Sequence, residues 1–344
     1  MSYVKEINVC LVIIGILVFG DVIPNQAQDL QRYTFDSRQM GAQFSIILYA
    51  EDKTAAARAS RSAFERVEEL NQMMSDYIDD SEVNLLSEKS GSGEWMKVSP
   101  ELFFLLKTSL QISEKTGGLF DVTMGPLTHE WRFIRMMEDP ELPAEEELKR
   151  LLRRTGYRHI ELDKPTKSVR LKEENMQIDL GGIAKGYAAE EAIKTLQKSG
   201  IKSALVDAGG DITLSAPPPG QKNWSVAVPK GTASGKPGMI SLQLNGLTVT
   251  TSGDMFQFVE IEGERYSHII NPKTGRGGTS RIQASVVSEN SMYADAYASV
   301  LTLMDPVKGI ELMNNLKNTE AVILEFTDDA VKEWTTEGFL KYLQ

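Results

Sequence analysis

At 344 residues, 41% hydrophobic and 25% charged, the chain has the composition of a globular protein and the length for a large core, in one large domain or two small ones. A formal charge of −11 argues against a partner held through nucleic-acid phosphates. The single cysteine, Cys10, rules out a disulfide within the chain.

Lys5 precedes an almost uncharged run from Ile7 to Gly20, broken by Asn8 and closed by Asp21. The run is short for a membrane span and has the form of a secretory signal core. Residues 1–27 are therefore expected to be a signal peptide or N-terminal anchor, cleaved after Gly20 or Ala27 if cleaved at all. Cys10 lies inside the apolar run, so no lipoprotein anchor is expected. The mature protein is expected to be exported to the periplasm, free or attached to the inner membrane.

Tyr33 to Tyr49 reads as two strands around Met40-Gly41. Apolar residues at helical spacing predict a helix over 54–74 (Ala63, Phe64, Val67, Leu70, Met73, Met74), ended by Ser75-Asp76-Tyr77. A short helix is expected from Asp80-Ser81-Glu82 to near Leu86, and Gly91–Gly93 is a loop. Ser99-Pro100-Glu101 combines a cap, a proline and an early acid, predicting a helix to Lys115 that Gly117-Gly118 stops. Leu119 to Arg132 is dense in aromatic and polar residues without a clean period, and reads as a binding loop. A solvated helix follows Pro143, and 159–163 with 168–171 reads as a hairpin.

That hairpin feeds Ile178-Asp179-Leu180-Gly181-Gly182-Ile183-Ala184-Lys185-Gly186, read as a strand turning on glycines into a helix over 187–196. Such a turn offers backbone N–H groups and a positive helix end to an anion, with Lys185 adding a cation. Taken alone, glycines there equally suit close strand–helix packing. Beyond it, strands are predicted at 203–207, 224–228, 238–244, 247–251, 256–261 and 280–287, then helices at 291–304 and 306–316.

Polar glycine-bearing clusters fall at 117–125, 179–186, 207–211, 251–254 and 268–278, the kind of loop positions where sites are built. His268, one of three histidines, stands near Lys273 and Arg276 and suits acid–base work on an anionic substrate; such a histidine can also do no more than bond backbone. Asp295 and Ser299 share a helix face at i and i+4, a pair of hard oxygens suited to Mg²⁺. No Cys/His set has zinc spacing, and Ser252 in Thr251-Ser252-Gly253-Asp254 is not a hydrolase elbow.

In order, MGA (40–42), SDY (75–77), GGLFDVTMGPL (117–127), IDLGGIAKGYAAE (178–190), DAGGDI (207–212), TSGD (251–254), SHIINPKTGRG (267–277) and ADAYAS (294–299) resemble the ApbE-like FAD:protein FMN transferases, over about residue 33 to 344. The resemblance implies a single α+β unit of mixed sheets and helices in two lobes, with the flavin in the cleft between them. It implies Mg²⁺-dependent splitting of FAD, attachment of FMN to a threonine of a target protein, and release of AMP. Some members instead hydrolyse FAD to FMN and AMP, and a non-catalytic FAD-binding protein is a further alternative. The target would be an exported or membrane redox protein. By the same resemblance, Met40, Tyr77, Leu119, Phe120, Asp121, Asp179, Lys185 and Ile270 contact FAD, while the Gly182 carbonyl, Asp295 and Ser299 hold the metal. His268 is the expected base, with Asp254 the next choice. Ser299 replaces a common threonine, and Ala298 stands where some members place a second aspartate, implying weaker metal binding.

Overall fold

The structure, a computed structural model, describes residues 30–231, 237–253, 257–327 and 329–343. The expected signal or anchor at 1–27 lies outside the described residues, and so do Cys10 and Asp254. Among the described residues no helix is long and apolar enough to cross a membrane.

The chain opens on the predicted hairpin, β1 (Gln31–Gln39) and β2 (Ala42–Ala50). Its turn residues Met40 and Gly41 have φ of +49° and +72°, the left-handed pair that matches strand twist in a two-residue hairpin. Then α1 (Lys53–Met74), capped by Asp52, buries Ala63, Val67 and Leu70 along one face. After α2 (Glu82–Glu88) and β3 (Met96–Lys97), α3 (Pro100–Lys115) starts where the cap predicts, Ser99 Oγ accepting the Leu102 N–H at 3.1 Å.

The expected binding loop at 119–132 is loop only in its first half. From Gly125 it becomes α4 (Gly125–Ile134), because Pro126 starts a helix and Leu127, Trp131 and Ile134 recur on one buried face. α5 (Glu145–Leu152) follows, then the hairpin β4 (Ile160–Asp163) and β5 (Ser168–Leu171), which β3 joins in a three-stranded sheet. The strand expected to lead through Ile178 into the glycines does not form. The segment is extended, with Met176, Ile178 and Leu180 buried, but it pairs through a single bridge from Gln177 to Met124. Its other backbone donors go to Val122 and to the Ser87 hydroxyl. α6 (Ala184–Lys198) then begins earlier than predicted.

The remaining elements are β6 (Ala204–Ala208), β7 (Asp211–Leu214), β8 (Trp224–Gly231), β9 (Pro237–Leu244), β10 (Thr248–Gly253), β11 (Phe258–Ile261), β12 (Glu264–Ser267) and β13 (Ile282–Ser288). They are followed by α7 (Ser291–Leu301), α8 (Pro306–Asn314), β14 (Thr319–Phe326) and β15 (Val331–Thr335). An antiparallel sheet runs β1-β2-β6-β7-β10-β13-β14-β15. On one face α1, α6 and α7 close the main core, into which β2 sends Phe44, Ile46 and Leu48. On the other face the β8–β9 hairpin and Phe339 cover a second core, which Ile47 and Tyr49 approach. A third cluster, built on α4, α5 and β11–β12 around Trp131, forms a smaller body beside the main one. The expected α+β class is thus met: helices gather on one face of an antiparallel sheet and a smaller lobe adjoins it.

Candidate active site

The antiparallel register of β7 and β10 sets Thr250 opposite Asp211, and Thr248 opposite Thr213, so these side chains share the sheet face that α6 and α7 cover. Asp211 is buried and takes the ammonium of Lys185 from the first turn of α6. Asp295, only 3% exposed, projects from α7 toward the same turn, where its Oδ2 accepts the Gly186 N–H at 2.9 Å. Ser299, one turn along α7, has its hydroxyl 3.2 Å from that of Ser252 at the end of β10. The buried Thr250 hydroxyl has no hydrogen-bond partner among the described residues.

Gly186 is what lets the two helices meet: a Cβ there would lie 2.5 Å from the Ser291 carbonyl oxygen. Burial raises the Asp295 carboxyl, the charge of Asp211 raises it further, and Lys185 with the Gly186 N–H opposes both, leaving it at about 7. For Lys185, burial lowers the ammonium's pKa, but Asp211 and Asp295 outweigh it and hold it above its ordinary value. Lys185 is therefore a cation with a buried acidic partner. It is bound to Asp211, a residue inside the DAGGDI cluster to which no role was attached.

The glycine turn itself is braced by Asp179, whose Oδ1 accepts the Gly181 N–H at 2.8 Å. Its Oδ2 accepts from Arg132 of α4 at 3.0 Å. The same guanidinium donates to Asp76, which also lies 3.2 Å from His129 Nε2, and it stacks on the Tyr77 ring with 4.3 Å from Cζ to ring centre. Tyr77 is 72% exposed and is linked to the turn through Arg132. Arg132 and Asp76 are not among the expected site residues, although Asp76 lies in the SDY motif beside Tyr77.

The other expected FAD contacts fall into two groups. Met40 sits at its hairpin turn, partly buried against the main core, and Phe120 is buried beneath Gly182, where a Cβ would come within 3.3 Å of its ring. Leu119 is partly buried in the same core. Asp121, by contrast, is occupied with loop structure: Oδ1 accepts from the N–H and hydroxyl of Thr123, and Oδ2 accepts the Tyr157 N–H at 2.7 Å. Burial raises its carboxyl despite those bonds. The Ile270 side chain is likewise buried, in the cluster around Trp131. The polar atoms of Asp121 and the apolar surface of Ile270 are thus engaged within the fold.

His268 follows β12, and its Nδ1 lies 3.0 Å from the Gln257 carbonyl oxygen. A carbonyl only accepts, so Nδ1 carries a proton and donates it to that oxygen. A cavity of about 330 Å³ opens on the sheet face away from Asp295, where Gly210, Thr251 and Gln283 approach the β8–β9 hairpin.

Among the described residues no three His, Cys, Asp or Glu side chains gather as a metal site. The donor set nevertheless fits a hard cation that keeps most of its other ligands from water and phosphate. Asp295 is a buried carboxylate whose charge Lys185 does not take directly, and the Ser252 and Ser299 hydroxyls are spaced like neighbouring ligands. Gly182 lies on the turn leading into α6, whose first turn receives Asp295.

A family model described as the ApbE family matches residues 40–323. The FAD:protein FMN transferase of Vibrio cholerae is 29% identical over 306 residues, covering 88% of this chain and 90% of that protein. Its counterpart in Escherichia coli K12 is 25% identical over 311 residues, covering 90% and 88%. The solved structure of the flavin transferase ApbE from Vibrio cholerae superposes with a TM-score of 0.80 at 28% identity, over 91% of this chain and 100% of that one. The apbe protein of Thermotoga maritima does so with the same TM-score of 0.80 at 26% identity, over 91% and 100%. With the family pattern matched from the first hairpin to β14, this chain belongs to the ApbE family.

Proposed function

We propose that this protein transfers FMN from FAD to a threonine hydroxyl of another protein, with release of AMP. The observation that carries the reading is the meeting, at the start of α6, of the glycine turn, the buried Asp295 and the Ser252–Ser299 hydroxyl pair, with the open Tyr77 ring beside that turn. Mg²⁺, held by the Gly182 carbonyl, Asp295 and Ser299, would supply positive charge against the diphosphate. The positive end of α6 attracts the phosphates, and Lys185 limits the negative charge that Asp211 and Asp295 place nearby. His268 takes the proton of the threonine hydroxyl as the threonine oxygen bonds to the FMN phosphorus. The phosphorus–oxygen bond to the AMP phosphate breaks, and AMP leaves with that oxygen. The apolar N-terminal run supports an exported, periplasmic setting, free or membrane-attached, and hence an exported or membrane redox protein as acceptor.

The test is to incubate the purified protein with FAD, Mg²⁺ and a candidate acceptor and to weigh the acceptor. A transferase adds the mass of FMN less one water to it, and His268→Ala keeps FAD binding while losing that addition. Rapid conversion of FAD to FMN and AMP, unchanged by acceptor, makes the protein an FAD diphosphatase. FAD binding with neither reaction makes it a binder, and normal labelling by His268→Ala passes the base to Asp254.

A further inference from the structure

Tyr77 is a large aromatic side chain left 72% exposed, yet its surroundings are rigid. Asn84 of α2 clamps the backbone on both sides of it, donating to the Asp76 carbonyl at 3.1 Å and the Ile78 carbonyl at 2.9 Å. One ring face lies on the Arg132 guanidinium, 4.3 Å away. That guanidinium cannot swing freely, since its two terminal nitrogens are bound to Asp76 and Asp179. Asp179 in turn holds the Gly181 N–H. A continuous run of contacts therefore links the phenol ring to the glycine turn: Tyr77, Arg132, Asp179, Gly181.

Resting on the flavin reading above, we propose that Arg132 is a positioning residue that fixes Tyr77 as the platform for the isoalloxazine ring and sets its register to the diphosphate turn. A planar guanidinium can stack on an aromatic face while its fork bridges two carboxylates; a lysine ammonium offers one point charge and cannot do both. The phosphorus under attack belongs to the FMN half, so the flavin, rather than the adenine, is the ring that must be held in register with the turn. With one Tyr77 face on Arg132, the other is left for the ligand. Arg132 touches neither substrate nor the reacting atoms in this arrangement and acts through its two neighbours.

The experiment measures binding of FAD, FMN and ADP by calorimetry, with quenching of flavin fluorescence as a second signal, in the wild type, Arg132→Gln, Arg132→Lys, Tyr77→Leu and the Arg132→Gln/Tyr77→Leu double variant. Arg132→Gln should weaken FAD and FMN by about tenfold, lose part of the quenching and leave ADP unchanged. Arg132→Lys, which keeps the charge and spares the fold, should recover little of the flavin affinity. The double variant should bind flavin no worse than Tyr77→Leu alone, because one platform is lost only once. Unchanged flavin affinity in Arg132→Gln and Arg132→Lys overturns the proposal, as does an equal loss for ADP, which would make Arg132 a brace for Asp179 only. A loss for ADP with FMN unaffected also overturns it, placing adenine on Tyr77. Failure of the wild type to bind FAD at all would instead overturn the flavin reading beneath it.

Discussion

The Oδ2 of Asp295 receives the Gly186 N–H at 2.9 Å, so the carboxylate of one helix is seated on the first turn of another. That seat exists because residue 186 has no side chain. A Cβ there would stand 2.5 Å from the Ser291 carbonyl oxygen and 3.0 Å from the Asp295 Cβ. Gly186→Ala should push α7 off α6, cost about 1–3 kcal/mol of stability and weaken any stabilisation by Mg²⁺. Thermal unfolding with and without Mg²⁺ checks both parts, and a variant with wild-type melting in both conditions would show that the helices shift without loss.

Asp295→Asn keeps the size and an oxygen for the Gly186 N–H but removes a charge that burial and Asp211 disfavour. With chelator present the variant should melt no lower than the wild type. Added Mg²⁺ should raise the melting temperature of the wild type and leave the variant where it was. Equal rises in both proteins would place the cation elsewhere.

Met40 holds a left-handed backbone, φ +49°, that asparagine adopts more easily. Met40→Asn should therefore stabilise the β1–β2 hairpin, by up to about 1 kcal/mol, while weakening FAD binding through loss of the methionine side chain. Denaturant midpoints and FAD titration separate the two effects. Unaltered FAD affinity would leave Met40 a packing residue only.

Burial pushes the Asp76 carboxyl up, but hydrogen bonds from His129 and Arg132 outweigh it and hold the carboxyl below its ordinary 3.8. A depressed folded-state pKa contributes stability that is complete above the unfolded value and fades as pH falls through the folded one. Asp76→Asn should thus lower stability at neutral pH and show a shallower decline on acidification below about pH 4. Urea midpoints from pH 7 to pH 3 test this; parallel curves for variant and wild type would mean the carboxylate's partners do not stabilise it.

Much of the framework was legible locally. The cap and proline at Ser99-Pro100, the turn at Met40-Gly41 and the helical spacing of Val67 and Leu70 each act within a few residues, and the structure keeps all three. Asp295 and Ser299 do share a helix, as their spacing implies. α4 was hidden because its first turn follows a polar, aromatic stretch, although Leu127, Trp131 and Ile134 already had helical spacing. β14 carries a buried apolar run without the alternation that marks a half-exposed strand.

The meetings that make the site come from elsewhere in the chain. Lys185 finds Asp211 across 26 residues, Arg132 finds Asp179 across 47, and Ser252 finds Ser299 across 47. Thr250 faces Asp211 only through the register of β10 on β7. Periodicity in a sequence tells which face of its own element a side chain takes. Which faces then meet depends on strand register and on how closely two helices approach, here set by a hydrogen at position 186 where any side chain would have kept them apart.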